Sequence, residues 1–220
     1  AEDTPFEDGS FTAITGQYAF EYTDEERCIG ELARIAAPGA ALQMVIHHTD
    51  SIVMETSREE IRNGRIIFDD TDIFGRARSM LGILAAANTP EARQALAADD
   101  NAERQRHQLN EAAGRLSEAL RQSPHPQLLQ MAMDRMSDAF RLLDQQGPEA
   151  ATAELESAAQ MIGANIERLE DLMAAGRSPD QIDTILAGLQ AAGFDMSPQS
   201  ELRHEGGPLM GWVLAGVRGH

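Results

Sequence analysis

The chain has 220 residues, with 36 Asp and Glu against 18 basic residues, and a formal net charge of −18. Nucleic-acid binding needs a basic surface, whereas residues 1–26 contain acidic side chains and no basic one. Apolar residues make up 42% and charged residues 25% of the chain, values typical of a globular protein that exclude a disordered or collagen-like one. We therefore expect no nucleic-acid partner.

Signals for targeting, lysine chemistry and metal binding are absent. No apolar run approaches the roughly 18–20 residues of a membrane helix, and the acidic N-terminus does not resemble a signal peptide. These features predict a cytoplasmic protein without a membrane span. All 18 basic residues are arginine, which excludes Schiff-base catalysis and a P-loop lysine. The single cysteine, Cys28, lacks the companion ligands of a zinc site, so we predict no metal centre.

The first fifty residues alternate between strand and helix patterns. Turn formers fill residues 1–10, and the mostly apolar run Phe11–Phe20 predicts a strand buried on both faces. A capping box at Thr23 predicts a helix that ends before a turn at Pro38, and Ala40–His47 is a second apolar strand. This order predicts a βαβ unit.

Residues 51–176 are predicted to be helical. Their apolar residues recur at steps of three and four, and proline and glycine breaks separate the apolar stripes, as in a small antiparallel bundle. Ser178, Pro179 and Gln181 then predict a capped helix start, and Gly193 is expected to end that helix in the left-handed conformation.

Two β segments, about Asp195–Arg203 and Leu209–Val217, are predicted to close the chain. The elements together predict one α/β domain interrupted by a helical cap. The expected division is a partial α/β core at residues 1–50, a helical cap or insertion at 51–176, and a helix with a β-hairpin that completes the core at 177–220.

Several segments of the α/β part resemble one family. Residues 1–11 (AEDTPFEDGSF) resemble the D-A-E-x-L-P-F-x-D-x-S-F-D segment of class I S-adenosylmethionine-dependent methyltransferases, a group that includes quinone-biosynthesis methyltransferases. Tyr18–Tyr22 lies where that family leaves strand four, and residues 31–35 and 38–40 resemble its next helix and turn. The L-x-x-A-G-F pattern at Leu189–Phe194 is similar to the end of its last helix.

The resemblance covers about residues 1–48 and 178–218, with Thr12 in place of an aspartate and Ala40 in place of a second glycine. It implies an α/β fold with a partial Rossmann-like methyltransferase sheet, made of strands four to seven with the last strand antiparallel, and a large all-helical insertion. The family's glycine-rich cofactor loop belongs to its first three strands, and no G-x-G-x-G motif occurs here. We therefore expect the C-terminal portion of a longer, bacterial-type methyltransferase, since an initiator methionine is also missing.

The resemblance also implies a binding site for S-adenosylmethionine. Ala1 and Glu2 would border the adenine, and Gly16, Gln17 and Tyr18 would contact the methionine portion at the carboxyl ends of the strands. A frayed terminus is the alternative for the first pair, and simple core packing is the alternative for Tyr18.

His47 and His48 follow the second strand at the same edge, where a histidine can serve as general base, and they are the substrate-side candidates together with Tyr22. Glu21 is a further candidate in the same region. The alternative for the histidines is hydrogen bonding within the loop. Adjacent residues on a strand point to opposite faces, which disfavours a metal ion shared by the two histidines.

The resemblance implies methyl transfer from S-adenosylmethionine to a small-molecule acceptor by the parent protein, with this fragment inactive alone. The helical block would then act as a lid over the pocket. The alternative is a non-enzymatic helical interaction module, and in either case the apolar stripes of the block allow a homodimer. Binding of the cofactor separates the two functions.

Overall fold

The computed structural model describes residues 1–220 and shows an α/β protein with a mixed sheet of five strands. Two compact units are present, which we call the sheet unit (Ala1–Glu55 with Asp171–His220) and the helical unit (Thr56–Glu170). All the strands lie in the sheet unit. No helix combines the length and the apolar character needed to cross a membrane.

The elements follow in chain order, and the borders between the units fall within α2 and α7. The first elements are β1 (Phe11–Gln17), a 3-10 turn (Phe20–Tyr22), α1 (Glu25–Ile35) and β2 (Ala36–His47). Next come α2 (Ile52–Arg65), a π-helical turn (Ile66–Asp70), α3 (Ile73–Ala86), α4 (Pro90–Leu96), α5 (Asp100–Gln122), α6 (Gln127–Gln146) and α7 (Pro148–Ala175). The last elements are α8 (Pro179–Ala191), β3 (Phe194–Met196), β4 (Ser200–Arg203) and β5 (Leu209–Arg218).

The sheet has the strand order β1-β2-β5-β3, so β1 is an edge strand. β1 and β2 run parallel, and β5 runs antiparallel to both β2 and β3. The predicted single segment Asp195–Arg203 is two strands, because β3 and β4 pair with different parts of β5. Pro198 lies between them and has no N–H to donate to a continuous ladder.

One face of the sheet is buried and the other is exposed. Leu42, Met44 and Ile46 of β2 point into a core that also contains apolar residues of α1, α8 and β5. The opposite face, which we call the open face, consists of uncharged and mostly exposed cross-strand rows: Ala13–Ala41–Val217, Thr15–Gln43–Ala215 and Gln17–Val45–Val213.

The prediction that the first strand is buried on both faces is wrong. Thr12, Thr15 and Gln17 are exposed, and the strand ends at Gln17 rather than Phe20. Tyr18 ends it with a φ of 51°, in the left-handed region. An apolar run shows that a segment suits burial, but it does not show whether a second layer covers the sheet.

Helix α1 has a different cap from the predicted one. The N-cap is Asp24, whose carboxylate accepts a hydrogen bond from the Arg27 N–H at 3.0 Å, while the Thr23 hydroxyl donates to a preceding carbonyl. β2 begins directly after α1, so the predicted turn at Pro38-Gly39 lies within this long strand.

The start and end of α8 are confirmed. The Ser178 hydroxyl accepts from the Gln181 N–H at 3.4 Å, and the Gln181 side chain accepts from the Ser178 N–H at 2.9 Å. Pro179 is the first helical residue. Gly193 follows the helix with a φ of 90°, a conformation that glycine adopts without steric cost.

The helical unit has its own apolar core, formed chiefly by α3, α5, α6 and α7. Its fully buried side chains include Leu116, Leu129, Leu155 and Ile162. Gly64 of α2 approaches Ile166 of α7 so closely that a Cβ atom would collide with that side chain. Glycine at this position therefore allows the two helices to pack.

Candidate functional site

The carboxyl ends of the parallel strands β1 and β2 bring two aromatic side chains together. Tyr18 directly follows β1, and His47 is the last residue of β2. Their rings stack with centroids 4.3 Å apart and planes inclined by 16°. The Tyr18 N–H donates to the Val45 carbonyl at 2.8 Å, and its hydroxyl donates to the Met210 carbonyl at 3.3 Å. Contacts at both ends thus hold the tyrosine in place.

A buried carboxylate lies beside the His47 ring. The Glu21 side chain has no exposed surface, and its Oε1 lies 4.0 Å from His47 Nε2. The same oxygen accepts a hydrogen bond from the His47 backbone N–H at 2.8 Å. Tyr22 lies edge-on to the imidazole, with centroids 6.3 Å apart, and is 50% exposed. We call Tyr18, Glu21, Tyr22 and His47 the edge cluster.

The edge cluster contains two buried polar atoms without a hydrogen-bond partner, Glu21 Oε2 and His47 Nδ1. Most buried polar groups in proteins are hydrogen-bonded, and leaving one unsatisfied costs about 1–3 kcal/mol. Because two such atoms lie on adjacent side chains, this cluster is the strongest candidate for a site that forms hydrogen bonds with a ligand.

Burial sets the protonation state of the cluster. Burial lowers the pKa of His47, and the Glu21 carboxylate offsets this only in part. Burial and then the charge of Glu21 raise the pKa of Tyr18 and of Tyr22. At neutral pH the cluster therefore holds a neutral imidazole and two un-ionised phenols. A proton on Nε2, the nitrogen that faces Glu21, leaves Nδ1 as the acceptor.

This protonation state predicts that stability declines on acidification. Because the pKa of His47 is lower in the folded chain than in the unfolded chain, the unfolded chain binds more protons at acidic pH. The free energy of unfolding therefore decreases as the pH falls from about 6.5, the ordinary pKa of histidine, through the lowered pKa of the folded chain. We expect the urea midpoint to fall between about pH 7.5 and about pH 5.5. His47→Gln should reduce this fall.

The matched control is His107→Gln, which changes an exposed histidine of α5. This variant should show the same decline with pH as the unaltered protein. An equal decline in His47→Gln would show that the His47 side chain does not titrate as its burial requires.

His48 lies outside the edge cluster. Its ring stacks on Trp212 with centroids 4.3 Å apart, and its Nδ1 accepts a hydrogen bond from the Asp50 N–H at 2.9 Å. Burial lowers its pKa as well. The two histidines thus meet different aromatic partners, Tyr18 and Trp212, as expected for adjacent strand residues.

Arg177 connects the edge cluster to the rest of the sheet unit. Its Nε donates to the Glu25 carboxylate at 2.8 Å, and its Nη2 donates to the Glu21 carbonyl at 2.9 Å. Its backbone N–H donates to the His47 carbonyl, and its own carbonyl accepts from the Trp212 indole N–H, both at 2.9 Å. The cluster is therefore fixed by one residue that is distant in sequence.

The remaining predicted site residues lie around this edge. Gly16 is near the end of β1, and a Cβ atom there would have no neighbour within 4 Å. Gln17 is exposed. Glu2 accepts from the Asp24 N–H at 2.7 Å at the start of α1, whereas Ala1 is exposed. Glu2 thus contacts the start of α1 and not the edge cluster.

Sequence reasoning missed Arg177 and Trp212. Trp212 is the single tryptophan of the chain and falls within a predicted strand, which is a weak signal for a structural role. Arg177 offers no local signal, because its side-chain partners Glu25 and Glu21 precede it by more than 150 residues.

No group of three or more His, Cys, Asp and Glu side chains is arranged to hold a metal ion. The fold and the edge cluster thus define an α/β protein with a buried acid–imidazole pair at the carboxyl edge of a mixed sheet. No protein-family profile, curated protein or solved structure matches the chain.

Proposed function

We propose that this chain forms part of a class I methyltransferase that transfers a methyl group from S-adenosylmethionine to a small-molecule acceptor. The observation that carries the proposal is the edge cluster at the carboxyl ends of β1 and β2, where open α/β sheets place their ligands.

The topology of the sheet supports this proposal. The resemblance assigns β1, β2, β3 and β5 to strands four, five, six and seven of the methyltransferase sheet. The resemblance implies that the last strand of this sheet runs antiparallel. β5 has this direction, since it pairs antiparallel with β2 on one side and β3 on the other.

The free edge of β1 and the open face give further support. Natural edge strands are usually protected by charges, proline or bulges. β1 (FTAITGQ) has no charged residue and no proline, and its register shift is confined to its first residues, between Phe11 and Ala13. Its open-face residues Ala13 and Thr15 are exposed beside Ala41 and Gln43. A strand and helices from a preceding part of the parent protein would pair with this edge and cover this face.

The residues present fit one end of the cofactor. The open space at Gly16 and the exposed amide of Gln17 suit the methionine portion, next to the ring of Tyr18. The resemblance places Ala1 and Glu2 beside the adenine, while the glycine-rich loop would come from the preceding strands. S-adenosylmethionine supplies a methyl group on a sulfonium, and His47 Nδ1 would accept the proton that the acceptor loses.

A second candidate is a non-enzymatic helical interaction or dimerisation module. The observation that favours it is the exposure of two large apolar side chains on the helical unit, Met131 at 37% and Met161 at 42%. Such side chains are common at interfaces between proteins. Binding of the cofactor product distinguishes this candidate from the enzyme.

Calorimetry with S-adenosylhomocysteine on the full open reading frame tests the proposal. We expect saturable binding by the full-length protein and little or none by the 220-residue chain, which has no glycine-rich loop. The upstream reading frame should also encode an apolar strand that ends in G-x-G-x-G. No binding by the full-length protein would favour the interaction module.

Gly16→Val provides a steric test in the full-length protein. A Cβ at this position meets no protein atom within 4 Å, and valine suits a strand, so the unfolding free energy should change by less than about 1 kcal/mol. The added methyl groups would occupy the proposed methionine space, and we expect S-adenosylhomocysteine to bind at least about tenfold more weakly. Unchanged affinity would contradict the placement of the cofactor.

A further inference from the structure

A cavity of about 700 Å³ lies at one end of the helical unit, where α3 and α6 end and α5 and α7 begin. All of its lining residues belong to this unit. Protein interiors are otherwise closely packed, and cavities of about 300–1,000 Å³ are the usual size of sites for small ligands. The volume of this cavity therefore suits a small molecule.

Helix α4 forms one wall of the cavity without filling it. The Thr89 hydroxyl caps this helix by accepting a hydrogen bond from the Ala92 N–H at 3.2 Å, and Pro90 is the first helical residue. None of the seven residues of α4 is buried. Local signals thus account for this helix, and its side chains leave the adjacent space open.

Apolar and polar side chains of the lining differ in their exposure to solvent. The large apolar side chains are half-buried: Leu84, Leu96, Phe140 and Leu143. The polar side chains are exposed: Asn88, Arg93, Arg106 and Asp144. A ligand that matches this lining has an apolar part, which enters the cavity, and a polar group, which stays at its mouth.

Two arginines determine which polar group the mouth of the cavity accepts. The Arg93 guanidinium donates from Nε to the Ala87 carbonyl at 3.2 Å and takes part in no ion pair. Arg106 donates to Glu103 through Nη1 alone, at 2.6 Å. Both arginines retain N–H groups for a carboxylate, which a guanidinium can bind in bidentate geometry. Asp144 is the single acidic residue of the lining, so one negative charge suits the cavity better than a cation or a dianion.

We propose that this cavity binds a medium-chain alkanoate, whose carboxylate is held by Arg93 and Arg106. The alkyl chain packs against Leu84, Phe140 and Leu143. The chain supplies most of the affinity, because each buried methylene group strengthens binding about fourfold. The site lies within the helical unit and does not involve the edge cluster, so it is independent of the proposed methyl transfer.

Calorimetric titration of the 220-residue chain with octanoate, butanoate and octylammonium tests the chain length and the charge of the ligand. We expect saturable binding of octanoate. Butanoate should bind at least about tenfold more weakly, because it has four fewer methylene groups to bury. Octylammonium should bind at least about fivefold more weakly, because it cannot accept hydrogen bonds from the arginines. The absence of octanoate binding, or equal binding of octanoate and either other probe, would overturn the proposal.

Two variants locate the ligand in the cavity. Arg93→Gln removes a charge from the exposed helix α4 and should weaken octanoate binding at least about fivefold. Its matched control is Arg104→Gln, an exposed arginine of α5 outside the lining, which should leave binding unchanged. Ala85→Phe places a ring in the cavity and should weaken binding at least about tenfold, with the far-ultraviolet circular dichroism unchanged. Unchanged octanoate affinity in Arg93→Gln or in Ala85→Phe would overturn the proposal.

Discussion

Replacement of Arg177 with methionine is expected to lower the free energy of unfolding of the sheet unit by about 2–4 kcal/mol, because it removes a charged partner from hydrogen bonds in a largely buried setting. The Arg177 side chain is 13% exposed and binds Glu25 and the Glu21 carbonyl. Methionine keeps the apolar stem but donates to neither. Urea denaturation followed by Trp212 fluorescence measures the effect, since Trp212 is the single tryptophan and lies in the sheet unit.

Arg203→Met is the matched control in the same unit. Arg203 forms an ion pair with Glu201 in which both side chains are well exposed, and such surface pairs contribute less than about 1 kcal/mol. If Arg177→Met destabilised the unit no more than Arg203→Met does, the proposed role of Arg177 in fixing the edge cluster would be wrong.

Leu155→Ala is expected to destabilise the helical unit by about 2–5 kcal/mol, the usual cost of removing a buried leucine side chain and leaving a cavity. Leu155 is fully buried in α7, within the core of that unit. Circular dichroism in the far ultraviolet detects the loss as a lower urea midpoint, because helices dominate that signal. Trp212 lies outside the helical unit.

Met161→Ala provides the comparison on the same helix. Met161 is 42% exposed, so its truncation leaves no internal cavity and should change the stability by less than about 0.5 kcal/mol. Equal effects of the two substitutions would contradict the assignment of Leu155 to the core and of Met161 to the surface.

The local structure was predicted best where side chains close to each other in sequence determine it. The start of α8 at Ser178 depends on a residue three positions away, and its end depends on the glycine at Gly193. The burial of β1 was predicted incorrectly because Ala13 and Thr15, on the open face, would be covered only by another layer of structure. No pattern within a strand reports the presence of that layer.

Part of the candidate site could also be predicted from the sequence. The meeting of Tyr18 and His47 follows from the parallel order of two strands, because the carboxyl ends of such strands lie at one edge. The burial of Glu21 cannot be predicted from the order of the strands. An acidic residue next to Tyr22 in a short turn suggests a side chain exposed to solvent, as that of Tyr22 is. Its burial depends on tertiary contacts of the turn with β2 and with Arg177.

We propose that S-adenosylmethionine binds at the carboxyl edge of β1 and β2. The most direct test is to add S-adenosylhomocysteine to the full-length protein and map the changes in backbone amide chemical shifts by NMR. We expect the largest changes at Gly16, Gln17 and Tyr18, with smaller ones at His47 and none around Gly39 at the opposite end of β2. The absence of shifts, or shifts confined to Thr56–Glu170, would contradict it.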